Sequence, residues 1–198
     1  MSRRARAPAG SVGMSRRARA WRDRLPGVAA VAAAAASALL GACTSPEGPS
    51  GPLVELLERD AWTESTADND PIPTHRPAIT GCPAAAWITE RTALELSTDY
   101  CDYISITSPS LLDLQPGDTI ELEAFYFDLT SPDATTGHWA LVIGDEVIWE
   151  VSPAIPGPAM FFEETLTVSK AHPAGTAVTV HLHNHGQNSY GITRLELP

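Results

Sequence analysis

The chain has 198 residues, with 13 Lys and Arg against 24 Asp and Glu, a formal charge of −11, and eight of the basic residues fall within the first 42. From residue 43 onward, 5 basic residues face 23 acidic ones, a charge of −18. A surface of that sign repels phosphate backbones, whose binding depends on Lys and Arg displacing counterions, so nucleic acid is excluded as a partner.

Residues 1–42 read as a secretory signal: an arginine-rich start, then an apolar, alanine-rich run from Val28 to Leu40. At 13 residues the run is shorter than the ~20 needed to span a bilayer. "MSRRARA" occurs at residue 1 and again at residue 14, which makes Met14 a second candidate start. Leu40-Gly41-Ala42-Cys43 closes the run and resembles the lipobox of bacterial lipoproteins. That resemblance implies cleavage before Cys43, lipidation of its sulfur, export to the bacterial cell envelope and attachment to a membrane. Acyl chains contribute ~0.8 kcal/mol per buried CH2, so several of them make a stable anchor.

Residues 43–80 are rich in Pro, Ser, Thr and acidic residues, as in "SPEGPSGP" and "NDPIPTHRP", and read as a flexible tether. Within it, Leu53, Leu56 and Leu57 fall at i, i+3 and i+4, predicting a short amphipathic helix over 53–62.

From residue 81 to 198, short β-branched and aromatic runs are separated by Pro/Gly turns such as "LQPGD", "SPAIPGP" and "AHPAG". The pattern predicts an all-β domain, an antiparallel β-sandwich of eight to nine strands, jelly-roll-like. The expected strands are 86–90, 92–96, 100–106, 119–127, 138–143, 146–151, 161–168, 177–184 and 189–197. Gly144-Asp145 is expected to be a two-residue hairpin turn. Alternation around it puts His138, Ala140, Val142, Val147, Trp149 and Val151 on the core side, with Trp139, Leu141, Ile143, Glu146, Ile148 and Glu150 on the other. Cys82 and Cys101, the cysteines other than Cys43, are expected to form a disulfide in an exported chain.

Three of the six histidines stand in "HLHNHG", residues 181–186. Val178, Val180 and Leu182 should point inward, leaving His181 and His183 outward and about 6.6 Å apart at the backbone. Two such imidazoles suit zinc or copper, with His185 or His138 as further candidates. His181 to His185 spans about 13 Å when extended, so three consecutive ligands need a bend or a residue from elsewhere. The competing reading makes "NHGQNS" an ordinary turn between the last two strands, with Asn184, Gly186 and Asn188 taking the left-handed conformations and His185 bracing it.

The closing stretch "TAVTVHLHNHGQNSYGITRLEL" resembles the last hairpin of galactose-binding-like jelly rolls. Sugar recognition uses aromatic faces beside polar groups, for which Trp139, Trp87, Tyr126 and Tyr190 are the candidates. Calcium would take oxygens from Asp128, Asp133, Asp145 or Glu146, although no D-x-D-x-D loop is present. Neither G-x-S-x-G nor H-E-x-x-H occurs, and carboxylate pairs such as Glu121/Glu123 and Glu163/Glu164 follow from an acidic composition. The sequence therefore points to a lipid-anchored binding module for a glycan or protein partner, with a metal-binding protein as the alternative and a hydrolase third.

Overall fold

The computed structural model describes residues 54–58, 60–78, 81–91 and 93–198. The signal, the lipobox and Cys43 lie outside them. In chain order the strands are β1 (Val54–Glu55), β2 (Thr63–Glu64), β3 (Trp87–Glu90), β4 (Ala93–Ser97), β5 (Tyr103–Pro109) and β6 (Thr119–Tyr126). There follow β7 (Thr135–Thr136), β8 (His138–Ile143), β9 (Glu146–Val151), β10 (Ala154–Ile155), β11 (Met160–Thr167), β12 (Ala177–His183) and β13 (Ser189–Leu197). Short 3-10 turns cover Pro73–His75 and Ala84–Ala86. Among the described residues no helix is long and apolar enough to cross a membrane.

The protein is an antiparallel β-sandwich. One sheet runs β11-β6-β13-β4-β3, with β1 also paired to β13, and the other runs β2-β5-β12-β8-β9. Strand β6 shows why the layers form. In "TIELEAFY" every second residue, Ile120, Leu122, Ala124 and Tyr126, is buried while its neighbours are half-exposed, the period of a sheet with one wet face. These side chains meet Ile104, Ile106, Trp139, Leu141, Val178, Val180 and Leu182 from the opposite sheet.

Strands β8 and β9 span the expected residues, and pairing of Ile143 with Glu146 leaves Gly144-Asp145 as the turn, with Gly144 at φ +60°. The faces are reversed from expectation on β8, whereas on β9 Trp149 and Val151 pack against the core as expected and Val147 is exposed. Trp139, Leu141 and Ile143 point into the core, and His138 and Ala140 stand on the outer face. Two features defeat alternation here: the register shifts between Leu141 and Val142, and five of six β8 residues are buried because both sides of the strand are covered.

Among its described residues, the segment read as tether and helix holds no α-helix and pairs with the domain instead. Val54–Glu55 pairs with Leu197 and Glu196, Thr63–Glu64 pairs with β5, and Leu56 and Leu57 are buried in the core. The leucine spacing fits a helix equally well, but burial beside β13 and β5 provides partners that an isolated turn lacks. Cys82 and Cys101 are joined by a disulfide with Cα atoms 5.7 Å apart.

Strands β12 and β13 lie in different sheets, so the segment between them is an arch across the sandwich and not a hairpin turn. Its asparagines are structural. Asn188 receives a hydrogen bond from the Thr130 amide (2.6 Å) and donates to the carbonyls of Thr130 and His185 (both 3.1 Å). Asn184 receives the Tyr190 hydroxyl (2.7 Å) and donates to Thr98 (2.8 Å). Gly186, at φ +92°, lies against the Thr130 carbonyl where no side chain fits.

Candidate metal centre

Strand pairing aligns the outer face of the second sheet. His181 sits opposite Ser105 on β5 and Ala140 on β8, and His183 sits opposite Tyr103 and His138. The expectation that His181 and His183 turn away from the core holds. That face is nevertheless covered, because residues 65–76 cross it as a strap, and His181 is 0% exposed beneath them.

The strap is fastened by Asp70, whose side chain is fully buried. Its carboxylate accepts bonds from Arg76 (2.7 Å), the Ile72 amide (3.1 Å), the Tyr103 hydroxyl and Ser105 (3.4 Å). Arg76 also donates to the Ser65 carbonyl (2.8 Å) and lies 5.7 Å over the Tyr103 ring. Burial would raise the Asp70 pKa, but the bonds from Tyr103 and Arg76 outweigh it and hold the carboxylate ionised.

The turn at Pro73–His75 then drops His75 onto the sheet. His75 Nδ1 is 3.2 Å from His181 Nε2, and the His75 ring lies edge-on to His138 with centroids 4.8 Å apart. One ring nitrogen from each of His75, His138 and His181 lies within 4.8 Å of the other two. Two nitrogens on one tetrahedral zinc at 2.1 Å bonds are about 3.4 Å apart, so small ring rotations bring all three onto a common ion.

Hydrogen bonding is consistent with such an ion. His138 Nε2 meets Glu150 Oε2 at 3.0 Å, the carboxylate–histidine pairing that fixes a ligand's tautomer. Nδ1 of His138 and Nδ1 of His181 are buried without a hydrogen-bond partner. An unsatisfied buried nitrogen costs about 1–3 kcal/mol, a cost that coordination through Nδ1 would remove at His138, while the His181 nitrogen facing His75 is Nε2. Burial, then the neighbouring His138, pushes the His181 pKa down to about 3 against the pull of Asp70. His75 is lowered by burial and by His138, so both rings offer neutral lone pairs near pH 7.

His183 and His185 are outside the triad but adjoin it. The His183 ring is 5.1 Å from His75 and 4.8 Å from His185. The sequence named His138, His181, His183 and His185 as metal candidates; the structure brings His138 and His181 together with His75, which the sequence reading did not name. Its clue was a lone histidine in "PTHRP", hidden in a stretch whose composition reads as tether.

Of the aromatic candidates, Trp139, Tyr126 and Tyr190 are buried. Their rings pack with Trp149 and Phe162 in the core, so they offer no face to a sugar, and Trp87 is half-buried against the same core. Among the described residues the exposed aromatics are Tyr100, Phe127 and Phe161, at 55%, 61% and 56%, with Phe161 on β11 and Phe127 just past the end of β6. Phe125 pairs with Phe161 on one side and Gly191 on the other, and its ring lies where a Cβ on Gly191 would stand. The triplets "FYF" and "MFF" carried this signal, since alternation sends every second ring outward.

The calcium candidates do not converge. Asp128 caps the Ala159 amide (2.8 Å), Asp145 pairs with Lys170 (3.0 Å), and Glu146 binds His172 (2.8 Å) and the Ser169 amide (2.8 Å). Asp133 is exposed. Glu123 of the carboxylate pairs is bound to Arg194 (2.8 Å).

No protein-family model matches the chain, and no curated protein matches it in sequence. Several solved structures resemble it in shape. A carbohydrate-binding module specific for non-crystalline cellulose, CBM28, is 12% identical over 74% of this chain and 92% of its own, with a TM-score of 0.41. The N-terminal cellulose-binding domain of Cellulomonas fimi β-1,4-glucanase C is 15% identical over 57% of this chain and 81% of its own, TM-score 0.39. TmCBM61, solved with β-1,4-galactotriose, is 11% identical over 71% of this chain and 90% of its own, TM-score 0.34.

Proposed function

We propose that this protein is an exported, lipid-anchored metal-binding protein that holds one zinc or copper ion between His75, His138 and His181. The observation that carries the reading is the convergence of three imidazole nitrogens within 4.8 Å under a strap, two of the rings having a buried, unpartnered nitrogen. A donor set of imidazoles alone, without thiolate, suits zinc and copper. Three protein ligands leave a position for an exchangeable fourth, which fits binding and release.

Thermal melting of the full chain tests it. An ion at a hundredfold excess over its Kd stabilises by about 2.7 kcal/mol, and His181→Ala should abolish that gain while His172→Gln leaves it. An unchanged melting temperature with both zinc and copper would refute the reading. The anchor rests on Leu40-Gly41-Ala42-Cys43, and the Cys82–Cys101 disulfide supports an oxidising compartment. Cys43→Ser should move the protein from the membrane to the soluble fraction, and retention would remove the lipid from the account.

A second reading, glycan binding, is supported by the exposed rings of Phe127 and Phe161 beside Phe125 and Gly191. Aromatic faces stack on the apolar side of sugar rings, with Glu95 beside them as an acceptor for hydroxyls. Retardation in gels containing soluble β-glucans, lost in Phe161→Ala, is expected, and equal mobility with and without polysaccharide would dismiss this face.

A further inference from the structure

A cavity of about 410 Å³ opens beside the triad, lined by His75, His183, His185, Asp102 and the Cys82–Cys101 disulfide. His75 thus belongs to two environments, the covered centre and the wall of an open cavity. From the cavity inward the rings form an unbroken series. Centroid separations are 4.8 Å from His185 to His183, 5.1 Å from His183 to His75, and 5.3 Å from His75 to His181.

We infer that His185 and His183 form a transfer path by which a zinc or copper ion reaches, and leaves, the centre at His75, His138 and His181. The inference rests on the metal-binding reading. A hydrated ion cannot approach His181 directly, because the strap leaves that residue no exposed surface. Neighbouring rings about 5 Å apart are close enough for one ion to bond the second before releasing the first, since each metal–nitrogen bond is about 2.1 Å. Each step exchanges one imidazole or water for another imidazole, so the ion is never stripped of ligands.

Direction follows from ligand number. The outer pair offers two half-exposed imidazoles in contact with water, and the centre offers three, so the ion rests inside. Asp102, exposed at the cavity wall, adds a negative charge where a cation first arrives, and its backbone carbonyl holds the Asn184 amide at 2.7 Å, which fixes the start of the arch carrying His185. The spacing of His181, His183 and His185 at every second residue now has a physical role. The strand presents two rings along its face, and the arch turns the third toward the cavity.

A path crossed in both directions alters uptake and release together and leaves their ratio, the affinity, unchanged. The test uses the full chain, zinc ion and a chromophoric chelator in stopped flow. His183→Asn/His185→Asn should still bind one zinc per chain, with affinity within about threefold of the parent. Its rates of uptake from and release to the chelator should both fall about tenfold or more. Unchanged rates would overturn the path, as would a loss of affinity beyond tenfold, which would make these rings ligands of the resting ion. A parent protein that binds no zinc would instead defeat the metal-binding reading itself, and the path with it. Should the double variant melt below the parent in the absence of zinc, His185→Asn alone carries the same comparison, because the arch is held through the backbone of His185 and not its ring.

Discussion

Glu146 illustrates how much a single side chain can depend on its surroundings. Burial alone would raise its pKa, but bonds from Ser169 and His172 bring it down to about 2. A folded-state value below the unfolded one, about 4.3, gives stability that is complete above that unfolded value and is lost as pH falls toward 2. Glu146→Gln should therefore flatten the acid limb of a urea-midpoint profile between about pH 4.5 and 2, and a variant profile parallel to the parent's would show that the pair contributes nothing. At this scale the sequence was informative where one face was decided by alternation: His181 and His183 were placed correctly. It was silent on His75, because a ligand delivered by a strap has no period of its own.

The strap concentrates its attachment on Asp70, and the consequence is an element that can be released as a unit. Removing one partner of a buried ion pair leaves the other charge unpaired at a cost of about 3–5 kcal/mol. Asp70→Ala should accordingly lower stability by about 3 kcal/mol or more, with backbone amides of residues 66–76 gaining hydrogen exchange ahead of those in β12. Uniform acceleration across both segments would mean that the strap is not a separate unit. Strand bounds at this scale were legible because turn residues punctuate them, and β8, β9 and β13 fall on the expected residues. Faces and partners were less so. An apolar strand covered on both sides, such as β8, gives alternation nothing to distinguish, and two neighbouring strands joined by "NHGQNS" look alike whether they pair or cross between sheets.

Across the whole molecule, the segment from Val54 to Arg76 joins both layers: β1 extends the first sheet, β2 extends the second, and the strap crosses the second sheet's outer face. A domain beginning at residue 81, as composition suggests, would forfeit the burial of Leu56 and Leu57, about 1.5–3 kcal/mol each, and lose His75. Residues 81–198 are thus expected to unfold at lower urea than the full chain and to bind no zinc. Equal midpoints and retained zinc binding would restore the shorter boundary. The β-sandwich itself was legible because eight or nine alternating runs admit few other solutions. The clasp was not, since Pro-rich acidic composition reports a lack of local preference and says nothing about what a neighbouring sheet supplies.

The burial of Trp139 has an experimental use. Its indole lies against Trp149, and it follows His138 directly in the chain on the opposite side of the same strand. Copper(II), with an unpaired electron, quenches nearby indole emission, whereas zinc, with a filled d shell, lacks that route. The molecule therefore carries its own optical probe: its native emission should dim on titration with copper(II) and stay bright with zinc, distinguishing the two ions without any added label.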